Sequence, residues 1–141
     1  MRALLADIEA IEYMLNHQWF ESGVARIGAE QEMCLVDLNT YKPLPLAVEI
    51  LALMKDCPWI DTELARFNLE VNLDPQEFSG ACFRAMESEI HQRLQHLRHN
   101  IAPLNADVIL TGILPTIRKH DLERHNLTPR ERYNLLIDAM T

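Results

Sequence analysis

Ten consecutive residues, Ala65-Arg66-Phe67-Asn68-Leu69-Glu70-Val71-Asn72-Leu73-Asp74, alternate apolar and polar side chains without interruption. Successive side chains of a strand point to opposite faces, so such a run predicts a strand that buries one face and leaves the other open. The open face then carries Arg66, Asn68, Glu70, Asn72 and Asp74. Asn and Asp are depleted in strands, so their selection on a strand face points to a ligand or a metal ion. A second such face lies upstream in the run from Ile27 to Val36, where Glu30 and Glu32, two residues apart, must point the same way. Two acidic strand faces predict one acidic cleft.

The chain has 141 residues, enough to bury a single core, and no apolar run approaches the roughly 20 residues that would span a bilayer. No membrane partner is expected. Asp7 and Glu9 interrupt the amino-terminal region early, so it lacks the apolar stretch of a secretion signal and a cytoplasmic location is expected. A net charge of −8 opposes binding to a phosphate backbone, which excludes nucleic acid as a partner class. It also means that a polyanionic nucleotide would have to arrive with divalent cations. Cys34, Cys57 and Cys82 are widely separated and odd in number, which argues for reduced, buried thiols rather than a disulfide framework or a thiolate zinc site.

Along the chain, Leu4, Ile8, Ile11, Leu15 and Trp19 recur at helical spacing, predicting an amphipathic helix from about Arg2 to Phe20, closed by Gly23, whose stripe serves as core or interface. Residues 46–55 read as a short helix ended by Pro58. Ser79 is the expected cap of a long helix that Pro103 terminates, with Phe83, Met86, Ile90, Leu94, Leu97 and Ile101 as its core seam. The β-branched run 108–114 predicts a central strand covered on both faces. Thr128-Pro129-Arg130-Glu131 has the form of a capping box opening a last helix. The predicted fold class is α+β, a largely antiparallel sheet with helices packed on one face. Residues 1–23 form the amino-terminal helix and residues 24–141 the remaining domain.

On one strand the Cα atoms of Glu30 and Glu32 are roughly 6.5 to 7 Å apart, and a paired Glu70 strand adds a third carboxylate across about 4.8 Å. At an effective dielectric near 20, each like-charged pair at about 6 Å costs on the order of 3 kcal/mol. Protonation of one acid relieves part of this, whereas a magnesium or manganese ion, suited to oxygen ligands, relieves all three together. An isolated E-x-E pair usually just faces water; Gly28 beside it and a second acidic, amide-rich strand are what favour the metal here.

Three segments then carry a resemblance. Arg26-Ile27-Gly28-Ala29-Glu30-Gln31-Glu32, the run Glu63-Leu64 through Glu70-Val71-Asn72, and Leu110-Thr111-Gly112-Ile113-Leu114-Pro115-Thr116 are similar in order and spacing to the opening motifs of the glutamate-cysteine ligase and carboxylate-amine ligase family. The resemblance runs from about Arg26 to the last residue. It implies a glutamine-synthetase-like fold whose curved antiparallel sheet holds ATP, divalent metals and an amino-acid carboxylate. It implies amide formation in thiol (glutathione) biosynthesis: ATP phosphorylates the glutamate side-chain carboxylate, and cysteine or another amine displaces phosphate. Carried across by motif, Glu30, Glu32 and Glu70 are metal ligands for Mg2+ or Mn2+. Arg66, Asn68 and Asn72 share the Glu70 face by strand parity and are candidates for phosphate or substrate contact. The family's catalytic domain is more than twice this length, so the chain resembles an amino-terminal portion and is expected not to turn over alone.

Two rival readings use the same acids: a two-metal phosphohydrolase, and a noncatalytic acidic metal-binding module that oligomerises. An incomplete sheet edge predicts self-association into a homo-oligomer. His91, His96 and His99 on the long helix read as a solvated face, His120 and His125 as surface residues, and Trp19 and Trp59 as core anchors. Cys34 alternates onto the Glu30 face without an identifiable histidine partner.

Overall fold

A computed structural model describes residues 2–140 and gives a mixed fold of helices and antiparallel sheet, in agreement with the α+β expectation. Its helices are α1 (Arg2–Asn16), α2 (Ala47–Leu53), α3 (Cys82–Ile101) and α4 (Glu131–Met140). The strands are β1 (Arg26–Ile27), β2 (Glu30–Asp37), β3 (Ile60–Thr62), β4 (Asn68–Asn72), β5 (Gln76–Glu77) and β6 (Ala106–Ile109). The main sheet has the order β3-β4-β2-β6, every neighbour antiparallel, and β1 pairs with β5 in a separate two-stranded ribbon. Among the described residues no helix is long and apolar enough to cross a membrane.

Alternation decides which face is buried. Met33 and Leu35 on β2, Leu69 and Val71 on β4 and Val108 on β6 point to one side, where they meet Ala47 and Ile50 of α2 and Leu94, Leu97 and Ile101 of α3. Residues of opposite parity, Glu30, Glu32 and Cys34 on β2 and Asn68, Glu70 and Asn72 on β4, share the other side. At one end of that side Leu114 packs on Cys34 and Val36, with Ile109 and Ile117 against them. The end bearing the acids is left uncovered.

The ten-residue alternating run is not one strand. Only Asn68–Asn72 is extended; Glu63 to Phe67 form the loop of the β3–β4 hairpin, in which the Asn68 N–H donates to the Ala65 carbonyl and the Glu63 N–H to the Asn68 carbonyl. Ala65 and Phe67 are nonetheless buried in the main core, and backbone pairing of Ala65 with Leu127 and of the Phe67 carbonyl with the Leu35 N–H pins the loop there. A loop pinned in this way imitates strand alternation.

Other expectations need correction. Helix α1 ends at Asn16 and buries no residue, and Trp19 is exposed rather than a core anchor. Helix α3 starts at Cys82 with no side-chain cap, the Ser79 carbonyl rather than its hydroxyl accepting the Cys82 N–H. Phe83, the first member of the expected seam, is exposed. The run 108–114 supplies only an edge strand, because the chain leaves the sheet after Ile109. Asn105, in the left-handed conformation that asparagine tolerates, reverses the chain between the 3-10 turn after α3 and β6, and its side-chain amide donates to Asp37. Thr128 does not cap α4: its hydroxyl donates to the Glu63 carbonyl.

Candidate metal centre

Register determines which acids meet. Glu32 lies directly opposite Glu70 across the β2–β4 pair, and Asp61 lies opposite Glu70 on its other side. Residues 61 and 63 have the same parity on β3, so Glu63, one step past the strand, turns to the open side. Glu32, Glu63 and Glu70 thereby offer carboxylate oxygens that all lie within 4.8 Å of one another. Glu30 stands two residues farther along β2, opposite Asn72, and with Gly28, Ala29, Leu73 and Pro75 lines a neighbouring groove outside this cluster. Of the three glutamates carried across by motif, two meet here and the third partner is Glu63.

Glu63 bears the electrostatic strain. Partial burial, a hydrogen bond shared with Glu70 and repulsion from Glu70 and Glu32 push its carboxyl above the ordinary range, while the Leu64 N–H opposes the shift. The folded chain therefore binds a proton at Glu63 more tightly than a free glutamate side chain does. The donor set consists only of carboxylate oxygens, which suits magnesium or manganese and disfavours softer metals.

Contacts from the segment after Leu127 hold the Glu63 loop in place. The buried Thr128 ties both sides of the loop, its hydroxyl donating to the Glu63 carbonyl and its N–H to the Leu64 carbonyl. Arg130, two residues on, binds both oxygens of Asp61. Partial burial raises Asp61, but that guanidinium and the Thr62 N–H outweigh it and keep the carboxylate below its usual range. Asp61 is thus committed to Arg130 while Glu63, Glu70 and Glu32 are not paired with a cation among the described residues.

The amide-bearing residues divide. Asn68 and Asn72 lie on the open face of β4; the Asn68 side chain donates to the Cys34 sulfur at 3.5 Å. Burial pushes the Cys34 thiol up, the Asn68 contact opposes the shift and Glu32 adds to it. Arg66 does not share this face. It sits in the hairpin loop, where its guanidinium donates to Glu49 of α2 at 2.7 Å and its carbonyl accepts the Ala47 N–H. Sequence reasoning missed Glu63 because the parity of the alternating run, carried backwards from β4, assigns position 63 to the buried face. A hairpin break before Asn68 would have reversed that assignment.

The chain matches no curated protein and no solved structure. Residues 26–141 match the model of glutamate-cysteine ligase family 2, a span that contains β1 to β6, α2 to α4 and the whole carboxylate cluster but not α1. This chain is a member of glutamate-cysteine ligase family 2.

Proposed function

We propose that the chain supplies the divalent-cation site of an ATP-dependent ligase that joins the side-chain carboxylate of glutamate to the amino group of cysteine or another amine. The observation that carries this reading is the convergence of Glu32, Glu63 and Glu70 within 4.8 Å on the open side of a sheet whose other side is closed by helices. Family membership supports the ligase class. In this reading the chain is the amino-terminal part of a glutamine-synthetase-like catalytic domain, further polypeptide completing the nucleotide walls, and the assembled enzyme is a cytoplasmic homo-oligomer.

Glu32, Glu63 and Glu70 would hold Mg2+ or Mn2+, which when bound would supply positive charge to offset the charge developing in phosphoryl transfer. Glu32, Glu63 and Glu70 present three carboxylates to one point on the open face, and a proton bound by Glu63 would have to leave before all three could ligate. Asn72 and Asn68, on the same side of β4, present amides along the direction in which a nucleotide or an amino-acid substrate would lie. Thr128 and the Asp61–Arg130 pair keep the Glu63 loop from withdrawing. Glutamate's carboxylate then attacks the terminal phosphorus of ATP as the bond to the bridging oxygen breaks and ADP leaves, and the acceptor amine attacks the acyl carbon of the resulting acyl phosphate, losing a proton to solvent as phosphate departs.

Titration of the chain with Mn2+, followed by electron paramagnetic resonance, tests the site. Saturable binding is expected, with affinity about tenfold or more weaker in Glu32→Gln, Glu63→Gln and Glu70→Gln. Absence of saturable binding, or equal binding by all three variants, overturns the proposal. The ligase chemistry is tested separately: phosphate release from ATP that requires both glutamate and an amine is expected from a longer polypeptide that contains this chain and not from the chain alone. Hydrolysis of a phosphate ester without an amine would identify a phosphohydrolase instead.

A further inference from the structure

On the helix-covered side of the molecule, away from the carboxylates, the chain places a thiol against an imidazole. Cys57 lies in the turn between α2 and β3, and its Sγ is 3.6 Å from the Nε2 of His96 on α3, 39 residues away in sequence. The two residues line a shallow cavity of about 300 Å³ together with Trp59, Gln92 and Arg93. Cys34 and Cys82 are buried, whereas Cys57 is half-buried with the cavity in front of it.

The surroundings orient the pair. The Trp59 indole meets the His96 ring edge-on, with centroids 5.9 Å apart, and the Arg93 guanidinium lies 5.5 Å from the Trp59 centroid. Arg93 is neutralised by Asp74 and Glu89 and also donates to the Asn72 carbonyl, so it closes the cavity as a fixed wall rather than as a free cation. Among the described residues Cys57 is the hydrogen-bond partner of the His96 ring. With the imidazole proton on Nδ1, Nε2 is the acceptor that the thiol S–H needs. A thiol with an adjacent base, an open approach and an aromatic wall has the parts that nucleophilic sulfur chemistry requires.

We propose that Cys57 is a thiol–disulfide exchange site, with His96 as its proton acceptor, that takes low-molecular-weight disulfides. His96 Nε2 takes the thiol proton, and the Cys57 sulfur attacks one sulfur of the incoming disulfide. A new bond forms between Cys57 and that sulfur as the original S–S bond breaks. Its electron pair leaves on the departing sulfur, which takes the proton from His96 and is released as a thiol. Cys57 is oxidised to a mixed disulfide and the incoming disulfide is reduced. Nothing in this step uses the carboxylate cluster, so the inference stands apart from the ligase reading.

The neutral probe hydroxyethyl disulfide, with mass mapping of the native chain, decides the matter. One adduct per chain at Cys57 is expected, reversed by dithiothreitol and absent in Cys57→Ser. His96→Gln should slow adduct formation by about tenfold or more in the native chain, because proton transfer to a positioned base carries at least that factor. In concentrated urea, where the two residues no longer meet, both chains should react at the same rate, which separates a chemical role for His96 from a folding defect. Adducts at Cys34 or Cys82 ahead of Cys57, or native rates that agree within about twofold, would overturn the proposal.

Discussion

The two faces of one pair of strands, β2 and β4, are built by the same alternation and do opposite work. Toward the helices, Met33, Leu35, Leu69 and Val71 are fully buried and packed on α2 and α3. Toward the open side, Glu32 and Glu70 stand directly opposite each other, an arrangement of like charges that destabilises a sheet. Stability and chemistry are therefore separated by one residue of register: the buried face supplies the free energy against which the strained acidic face is held.

Neighbouring substitutions on β4 test that separation most strongly. Leu69→Ala is expected to lower unfolding free energy by about 2–5 kcal/mol, because the side chain is fully buried and leaves a cavity. Glu70→Gln, the next residue, is expected to raise it by up to about 1 kcal/mol in the presence of chelator, since it removes a repulsion and no packing. With Mn2+ added, the sign for Glu70→Gln should reverse as the wild-type chain gains stability from the bound ion. Urea denaturation under both conditions reads all three effects; a loss of stability for Glu70→Gln in chelator would mean that the open face contributes to the core.

The same comparison has a pH axis. Glu63 is raised above its ordinary value of 4.5 in the folded chain, so the fold binds that proton more tightly than the unfolded chain does. Its contribution to stability is fully present below the unfolded pKa and is lost as pH rises through the folded one. In chelator, the urea midpoint of the wild-type chain should fall over that window, and Glu63→Gln, which keeps the shape without the titration, should flatten the fall. An unchanged pH profile would remove Glu63 from the repelling group.

Within the buried face a single hydroxyl offers a smaller test. Thr62 lies opposite Leu69, is 3% exposed, and its Oγ1 has no hydrogen-bond partner among the described residues. Thr62→Val removes an unsatisfied polar atom at constant shape and should stabilise the chain by about 1 kcal/mol, measured by thermal unfolding.

Much of this contrast was legible in the sequence. Period-two alternation identifies the open face, and strand parity alone puts Glu32 and Glu70 on it. What alternation does not encode is where a strand stops. Ala65 and Phe67 are buried in the main core, held there by backbone pairing with Leu127 and Leu35 far away in sequence, so the loop carries the apolar rhythm of a strand and hides the turn that brings Glu63 to the acids. Helix α1 shows the converse. Leu4, Ile8, Ile11 and Leu15 give a stripe at helical spacing, yet each is more than half exposed, because a pattern specifies which residues share a face and not what covers it.

Arg66 is where the two faces were confused, and it gives the smallest and sharpest effect. Parity along an unbroken strand assigns it to the open side, next to phosphate or substrate, whereas the hairpin loop turns it to Glu49 on the helix side. The ion pair is partly exposed, with Arg66 at 29% and Glu49 at 49%, so Arg66→Ala should cost about 1 kcal/mol or less. The effect should shrink at high salt, since solvent and ions screen such a pair. More tellingly, Mn2+ affinity should remain within about twofold of wild type, because a residue on the far side of the sheet neither ligates the cation nor supports Glu63. A loss of affinity as large as that of Glu70→Gln would return Arg66 to the acidic face and with it the unbroken ten-residue strand.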